Sequence, residues 1–140
     1  MNEQGQFSGS CLCGAVRYAF DSEPRVTLAC HCSRCRKATG SAFGVWALVD
    51  QDSFHWTAGT EQIAEHASSD HGRRFFCTRC GSTLGNLTSR RPRFMHLAAG
   101  TLDAAPKLRI AIHAHVASKA DWYEITDAVP QHDEEPTKRG

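Results

Sequence analysis

The seven cysteines stand in three tight clusters: Cys11-Leu12-Cys13, Cys30-His31-Cys32-Ser33-Arg34-Cys35 and Cys77-Thr78-Arg79-Cys80. A structural zinc is closed by four thiolates, whereas a reactive zinc keeps one position open. Pairing the two doublets makes a four-thiolate site and leaves the triplet as a three-thiolate site. That arithmetic predicts a structural metal on Cys11, Cys13, Cys77 and Cys80 and a reactive one on Cys30, Cys32 and Cys35. Disulfides are the competing use of cysteine, but they need an oxidising compartment, and an odd count leaves one thiol over. Met1-Asn2-Glu3-Gln4-Gly5-Gln6 has neither a basic nor an apolar targeting segment, so a cytoplasmic setting is expected. A redox pair would also use Cys-x-x-Cys, yet Gly81 directly after Cys80 suits a zinc knuckle, whose tight turn aims backbone amides at sulfur.

The elements that must hold these clusters read as β-rich. Val16, Tyr18 and Phe20 recur at period two with Arg17 on the other face, which predicts a half-buried strand leaving the first cysteine pair. Further strands are expected near residues 25–29, 43–49, 54–57, 62–66, 73–76, 94–98 and 110–116, separated by turn chemistry such as Ala58-Gly59-Thr60. Ser33 to Thr39 reads as a short helix that Gly40 ends. A chain of 140 residues fits one domain, placed at 1–130, and the polar run from Gln131 through Pro136 is expected to belong to a loosely held tail, 131–140. The net charge of +1 argues against a nucleic-acid partner. No apolar run reaches the roughly 18 residues of a membrane span. A metal shared by Cys11, Cys13, Cys77 and Cys80 would staple the start of the chain to a distant hairpin. Metal binding, at about 10 kcal/mol or more in small zinc modules, offsets the loop-closure entropy. The triplet closes no long loop, so chemistry explains a metal there better than stability does.

Three stretches together carry a family resemblance: Gly9-Ser10-Cys11-Leu12-Cys13-Gly14-Ala15-Val16, Cys30-His31-Cys32-Ser33-Arg34-Cys35-Arg36-Lys37-Ala38-Thr39-Gly40 and Phe76-Cys77-Thr78-Arg79-Cys80-Gly81. The chain resembles the glutathione-dependent formaldehyde-activating enzyme and centromere protein V family. Gly100-Thr101-Leu102-Asp103, His113 and Trp122 are similar to that family's C-terminal half. The resemblance implies a mainly β fold, a zinc-stapled β-tent like that of Rab exchange factors. It implies two zinc ions per chain, structural on Cys11, Cys13, Cys77 and Cys80 and catalytic on Cys30, Cys32 and Cys35. The implied activity is that of a carbon–sulfur lyase, an S-(hydroxymethyl)glutathione synthase-like enzyme acting on adducts of a small thiol such as glutathione with an aldehyde such as formaldehyde. The alternative is a non-catalytic zinc module that binds a protein partner; such a module needs only the four-cysteine site.

The triplet's own physics points the same way. Three thiolates leave a bound zinc with net negative charge, suited to holding a thiolate or carbonyl reversibly rather than to driving hydrolysis. Arg34, Arg36 and Lys37 flank it, and Arg73, Arg74, Arg79, Arg90, Arg91 and Arg93 follow. If some of them converge on the site they attract an anionic substrate; the bland reading is a solvated basic face. His31 is read as oriented by local hydrogen bonds rather than as a ligand, and His113 as a core or surface residue. Of Trp46, Trp56 and Trp122, the last is the expected site-lining residue.

Overall fold

Val16, Tyr18 and Phe20 are completely buried and Arg17 is exposed, as period-two alternation requires, but Ala19 is covered as well, so the outer face is open only at the strand's start. The structure, a computed structural model, describes residues 6–104 and 107–136. Among them the chain forms β1 (Phe7–Ser10), β2 (Arg17–Phe20), β3 (Val26–Cys30), the helix α1 (Ser33–Thr39), β4 (Gly44–Asp50), β5 (His55–Ala58), β6 (Ile63–Ala67), β7 (Gly72–Cys77), β8 (Thr83–Thr88), β9 (Phe94–Ala98), β10 (Leu102–Ala104) and β11 (Ile112–Ala114). The fold is mainly β and forms one small domain. The strands expected from the sequence are present to within a few residues, and α1 spans the expected seven. Gly40 ends the helix in the left-handed region at φ 65° and donates to the Arg36 carbonyl. The sequence pattern does not reveal strands β1, β8 and β10. They are glycine-bearing or short, and their apolar alternation is weak.

The strands make two sheets, one ordered β10-β1-β2-β5 and one ordered β11-β3-β4-β9-β8-β7-β6. Phe7, Val16, Tyr18 and Phe20 of the first sheet's side pack with Ala47, Val49, Phe75, Leu84, Met95 and Leu97 of the second, so the main core lies between the sheets. β4 is buried on both faces. Ala47 and Val49 face that core, while Trp46 and Leu48 join Cys30 and Cys35 in a second cluster on the other side. The site therefore grows out of the back of the central strand.

β11 lies parallel to β3 and sets Ala114 opposite Cys30. The expected strand over 110–116 is shorter because His115 turns into the left-handed region at φ 56°. Beyond it, residues 131–136 of the expected tail are tied by backbone bonds, while its residues 137–140 lie outside the described residues. His132 N–H donates to the His113 carbonyl, and Val116, Ala117 and His115 N–H groups donate to His132, Asp133 and Glu134. The polar composition of this stretch conceals a strap tied by backbone bonds, which any side chain permits. No helix among the described residues is long and apolar enough to cross a membrane.

Candidate metal centres and the cysteine cleft

Cys11 and Cys13 follow β1, and Cys77 ends β7, so the doublets arrive from different sheets. The four Sγ atoms of Cys11, Cys13, Cys77 and Cys80 lie within 4.8 Å of one another. Cys11 Sγ and Cys13 Sγ are 3.6 Å apart, and Cys13 Sγ and Cys77 Sγ 4.0 Å. Tetrahedral zinc with bonds of about 2.3 Å requires sulfurs about 3.8 Å apart, so these thiols fit the metal. The backbone is arranged for thiolates as well. Val16 N–H donates to Cys11 Sγ and Arg79 N–H to Cys77 Sγ, each at 3.3 Å. Gly81, at φ 79°, makes the knuckle turn in which its N–H reaches the Cys77 carbonyl. Ser82 Oγ lies 3.2 Å from Cys80 Sγ and holds that thiol down to about 5.

The triplet is built from one junction. Cys30 ends β3, Cys32 caps α1, and Cys35 lies in its first turn; their Sγ atoms also lie within 4.8 Å of one another. Cys32 Sγ accepts the Cys35 N–H at 3.3 Å. Hydrogen bonds from the Cys30 and Cys35 thiols, then that amide and the His115 charge, hold Cys32 far below the ordinary thiol range. The same crowding with Cys32 and Cys35, together with burial, pushes Cys30 up. One sulfur is thus readily a thiolate, and metal capture would take the remaining protons. Three sulfurs at one corner fit a zinc with an open position.

That open side faces a cleft of about 640 Å³. Arg34, Arg74, Arg90 and Arg91 all line it, so four of the arginines singled out in the sequence do converge. Arg74 Nη2 lies 3.6 Å from Cys35 Sγ, and its guanidinium stands over the Trp46 ring, 5.8 Å from the centroid. Arg34 Nε donates to the Ser68 carbonyl at 3.0 Å and ties α1 to the opposite wall. Arg73 and Arg93 instead pair with Glu65 and Asp50, and Arg36 donates to the His31 carbonyl. Trp46 Nε1, Arg74 Nε and Nη1, and His96 Nδ1 are buried in this wall without a hydrogen-bond partner. Burial, then the Arg91 and Arg74 charges, lowers His96 to about 4, so its ring is neutral.

Sequence reasoning misplaced some residues and missed others. Trp122 is 71% exposed and lies outside the cleft; Trp46 is the tryptophan that lines it. His31 is indeed oriented by a hydrogen bond, but a long-range one: its Nε2 is 2.9 Å from His113 Nδ1, whose ring reaches Asp127 at 3.1 Å. Burial and the His113 charge lower His31 to about 4. His96 and His115 also line the cleft, beyond the residues the motifs indicate. His96 alternates with the buried Met95 and Leu97, a signal for a polar residue facing away from the core. Nothing in the sequence announces the left-handed turn that aims His115 inward.

The chain matches the family model for the glutathione-dependent formaldehyde-activating enzyme over residues 6–118. It belongs to that family. A Halomonas elongata protein named as a putative glutathione-dependent formaldehyde-activating enzyme is 34% identical over 129 residues, covering 84% of this chain and 79% of its own. An uncharacterized lyase of Schizosaccharomyces pombe is 34% identical over 80 residues, 56% of each chain. A crystal structure of a Rhodobacter sphaeroides protein, 20% identical, matches with a TM-score of 0.55 over 71% of this chain and 90% of its own, a likeness of fold. Within this family chain both cysteine clusters and the arginine-lined cleft are in place.

Proposed function

We propose that the protein is a zinc-dependent carbon–sulfur lyase that makes and breaks adducts between an anionic thiol, such as glutathione, and an aldehyde, such as formaldehyde. The observation that carries this reading is the triplet opening into a cleft lined by four arginines. Zinc held by Cys30, Cys32 and Cys35 would lower the pKa of a substrate thiol or polarise a carbonyl at its fourth position. In the synthetic direction a C–S bond forms to the aldehyde carbon and the thiol proton ends on the former carbonyl oxygen; the lyase direction reverses both. The chain's residues bind and orient. Arg74 offsets the negative charge of the sulfurs, the cleft arginines hold substrate carboxylates, and Trp46 and Leu28 supply an apolar wall that limits water. Cys11, Cys13, Cys77 and Cys80 would hold the second, structural zinc. The family name and the relatives' names support the reaction class. The seven unpaired cysteines support a reducing, cytoplasmic setting.

A non-catalytic binding module would have no use for the triplet and its cleft. The deciding experiment counts zinc per chain by native mass spectrometry and screens thiol–aldehyde turnover, using Cys32→Ala to subtract the spontaneous reaction. Two zinc ions and turnover lost in the variant are expected. One zinc, with wild type and Cys32→Ala equal for every thiol, would transfer the assignment to the binding module.

A further inference from the structure

The cleft already contains a carboxylate. Glu135, on the strap, places Oε1 3.7 Å from Arg91 Nη2 and Oε2 4.0 Å from His115 Nε2. Arg91 Nη2 also donates to the Pro136 carbonyl at 3.4 Å. The other acidic side chain lining the cleft is Asp70, on the turn before β7. Against these stand Arg34, Arg74, Arg90 and Arg91, together with the buried donors of Arg74 and the His96 Nδ1 atom that have no partner. The cleft wall is thus cationic and under-satisfied, and the one carboxylate paired with an arginine there comes from the chain itself.

The strap is built so that this carboxylate can leave. His132, Asp133 and Glu134 accept backbone bonds from Val116, Ala117 and His115, and that series ends at Glu134. Glu135 follows it, and its side chain is 47% exposed. Its carboxylate can rotate into solvent without breaking the ladder, and a part-exposed pair at 3.7 Å is weakly held. His115 is fixed in place by comparison. Its left-handed backbone is the one positive φ among the described non-glycine residues, and its amide is bonded to Glu134.

We propose that Arg91 and His115 form a carboxylate subsite of the cleft, occupied in the free protein by Glu135 and given over to a carboxylate of the substrate thiol. The proposal rests on the thiol–aldehyde reading and names the groups that select an anionic thiol. Glu135 acts as a tethered competitor. It costs anionic ligands some affinity and keeps Arg91 from holding adventitious anions.

The test uses zinc-loaded protein and S-methylglutathione, which has the carboxylates but no thiol to bind metal, beside its dimethyl ester, titrated by NMR. Glu135→Gln should tighten S-methylglutathione about two- to five-fold and leave the ester unchanged. Glu134→Gln, which removes the same charge one residue away, should change it less. Arg91→Gln should weaken S-methylglutathione toward the ester's affinity. Equal or weaker binding in Glu135→Gln, equal gains in both glutamate variants, or no binding of S-methylglutathione by any form would overturn the subsite. Because no aldehyde is present, the outcome is independent of turnover. Tightening in a protein without turnover would retire the lyase reading alone, and turnover without tightening would retire the subsite alone.

Discussion

Cys13 and Cys77 are separated by 64 residues; Cys13 lies in the turn after a strand of one sheet and Cys77 ends a strand of the other, whereas Cys30, Cys32 and Cys35 belong to one strand–helix junction. The first cluster is locked in by Val16 and Arg79 amides and by the knuckle turn at Gly81. The second lines a cleft and touches a cationic side chain. The same side chain is thus placed for two different uses. With metal bound, sulfurs gathered from afar would convert its affinity into folding free energy, and sulfurs gathered locally would leave that affinity free for a substrate.

The largest expected effect separates the two by mutation. Losing the staple forfeits metal binding of about 10 kcal/mol or more, comparable to the roughly 5–15 kcal/mol stability of a whole domain. Cys77→Ala should lose its cooperative thermal transition or its solubility. Cys32→Ala should melt cooperatively while activity falls to the uncatalysed rate. Circular dichroism and turnover on both variants check this, and identical melts would remove the division of labour. Chelation should repeat the order without mutation. A mild chelator should strip the triplet first with the fold intact, and a stronger one should then unfold the protein as the staple empties, followed by metal release and ellipticity in parallel.

The grouping of the sulfurs is legible in the sequence. The cysteine spacings identified both clusters, and period-two burial at Val16, Tyr18 and Phe20 located β2. Spacing works for ligands because sulfurs close in sequence have little freedom to be far apart in space. The cleft is half legible: arginines can be named, but only the fold decides that Arg74 and Arg91 line the cleft, with Arg74 against Cys35, while Arg73 and Arg93 face Glu65 and Asp50. The strap was illegible. Its ties are backbone bonds of His132, Asp133 and Glu134, and composition carries no signal for those. Trp122 misled because a large aromatic side chain reads as buried, and here it is exposed.

A smaller effect distinguishes the cleft wall from the staple by pH. His96 is lowered from 6.5 to about 4 by burial and by Arg91 and Arg74, so the unfolded chain binds its proton more readily than the folded one. Its contribution is fully present above about pH 6.5 and is lost as pH falls toward 4. The total loss is on the order of 3 kcal/mol. Urea unfolding at several pH values in that window should show stability falling with pH, and His96→Gln should have a shallower slope than wild type. Parallel slopes would mean that the His96 ring is not kept neutral by this wall.

The smallest effect probes how the cleft attracts its substrate, and it divides the arginines by exposure. Arg34 and Arg90 are exposed, whereas Arg74 is half-buried against Trp46 and Cys35. Salt screens exposed charges, shortening the Debye length from about 30 Å at 0.01 M to about 3 Å at 1 M, and affects buried ones much less. An anionic thiol should therefore be preferred over a neutral one of similar size at low salt, and high salt should reduce that preference several-fold without abolishing it. The ratio of kcat/KM for glutathione and its dimethyl ester with formaldehyde, after subtraction of the Cys32→Ala background, measures this. A preference that vanishes at high salt would assign all the attraction to the exposed Arg34 and Arg90, leave Arg74 with the sulfurs alone and count against a carboxylate held at the half-buried Arg91. A preference that salt does not touch would place the substrate's charge against buried donors, deeper than the rim arginines reach.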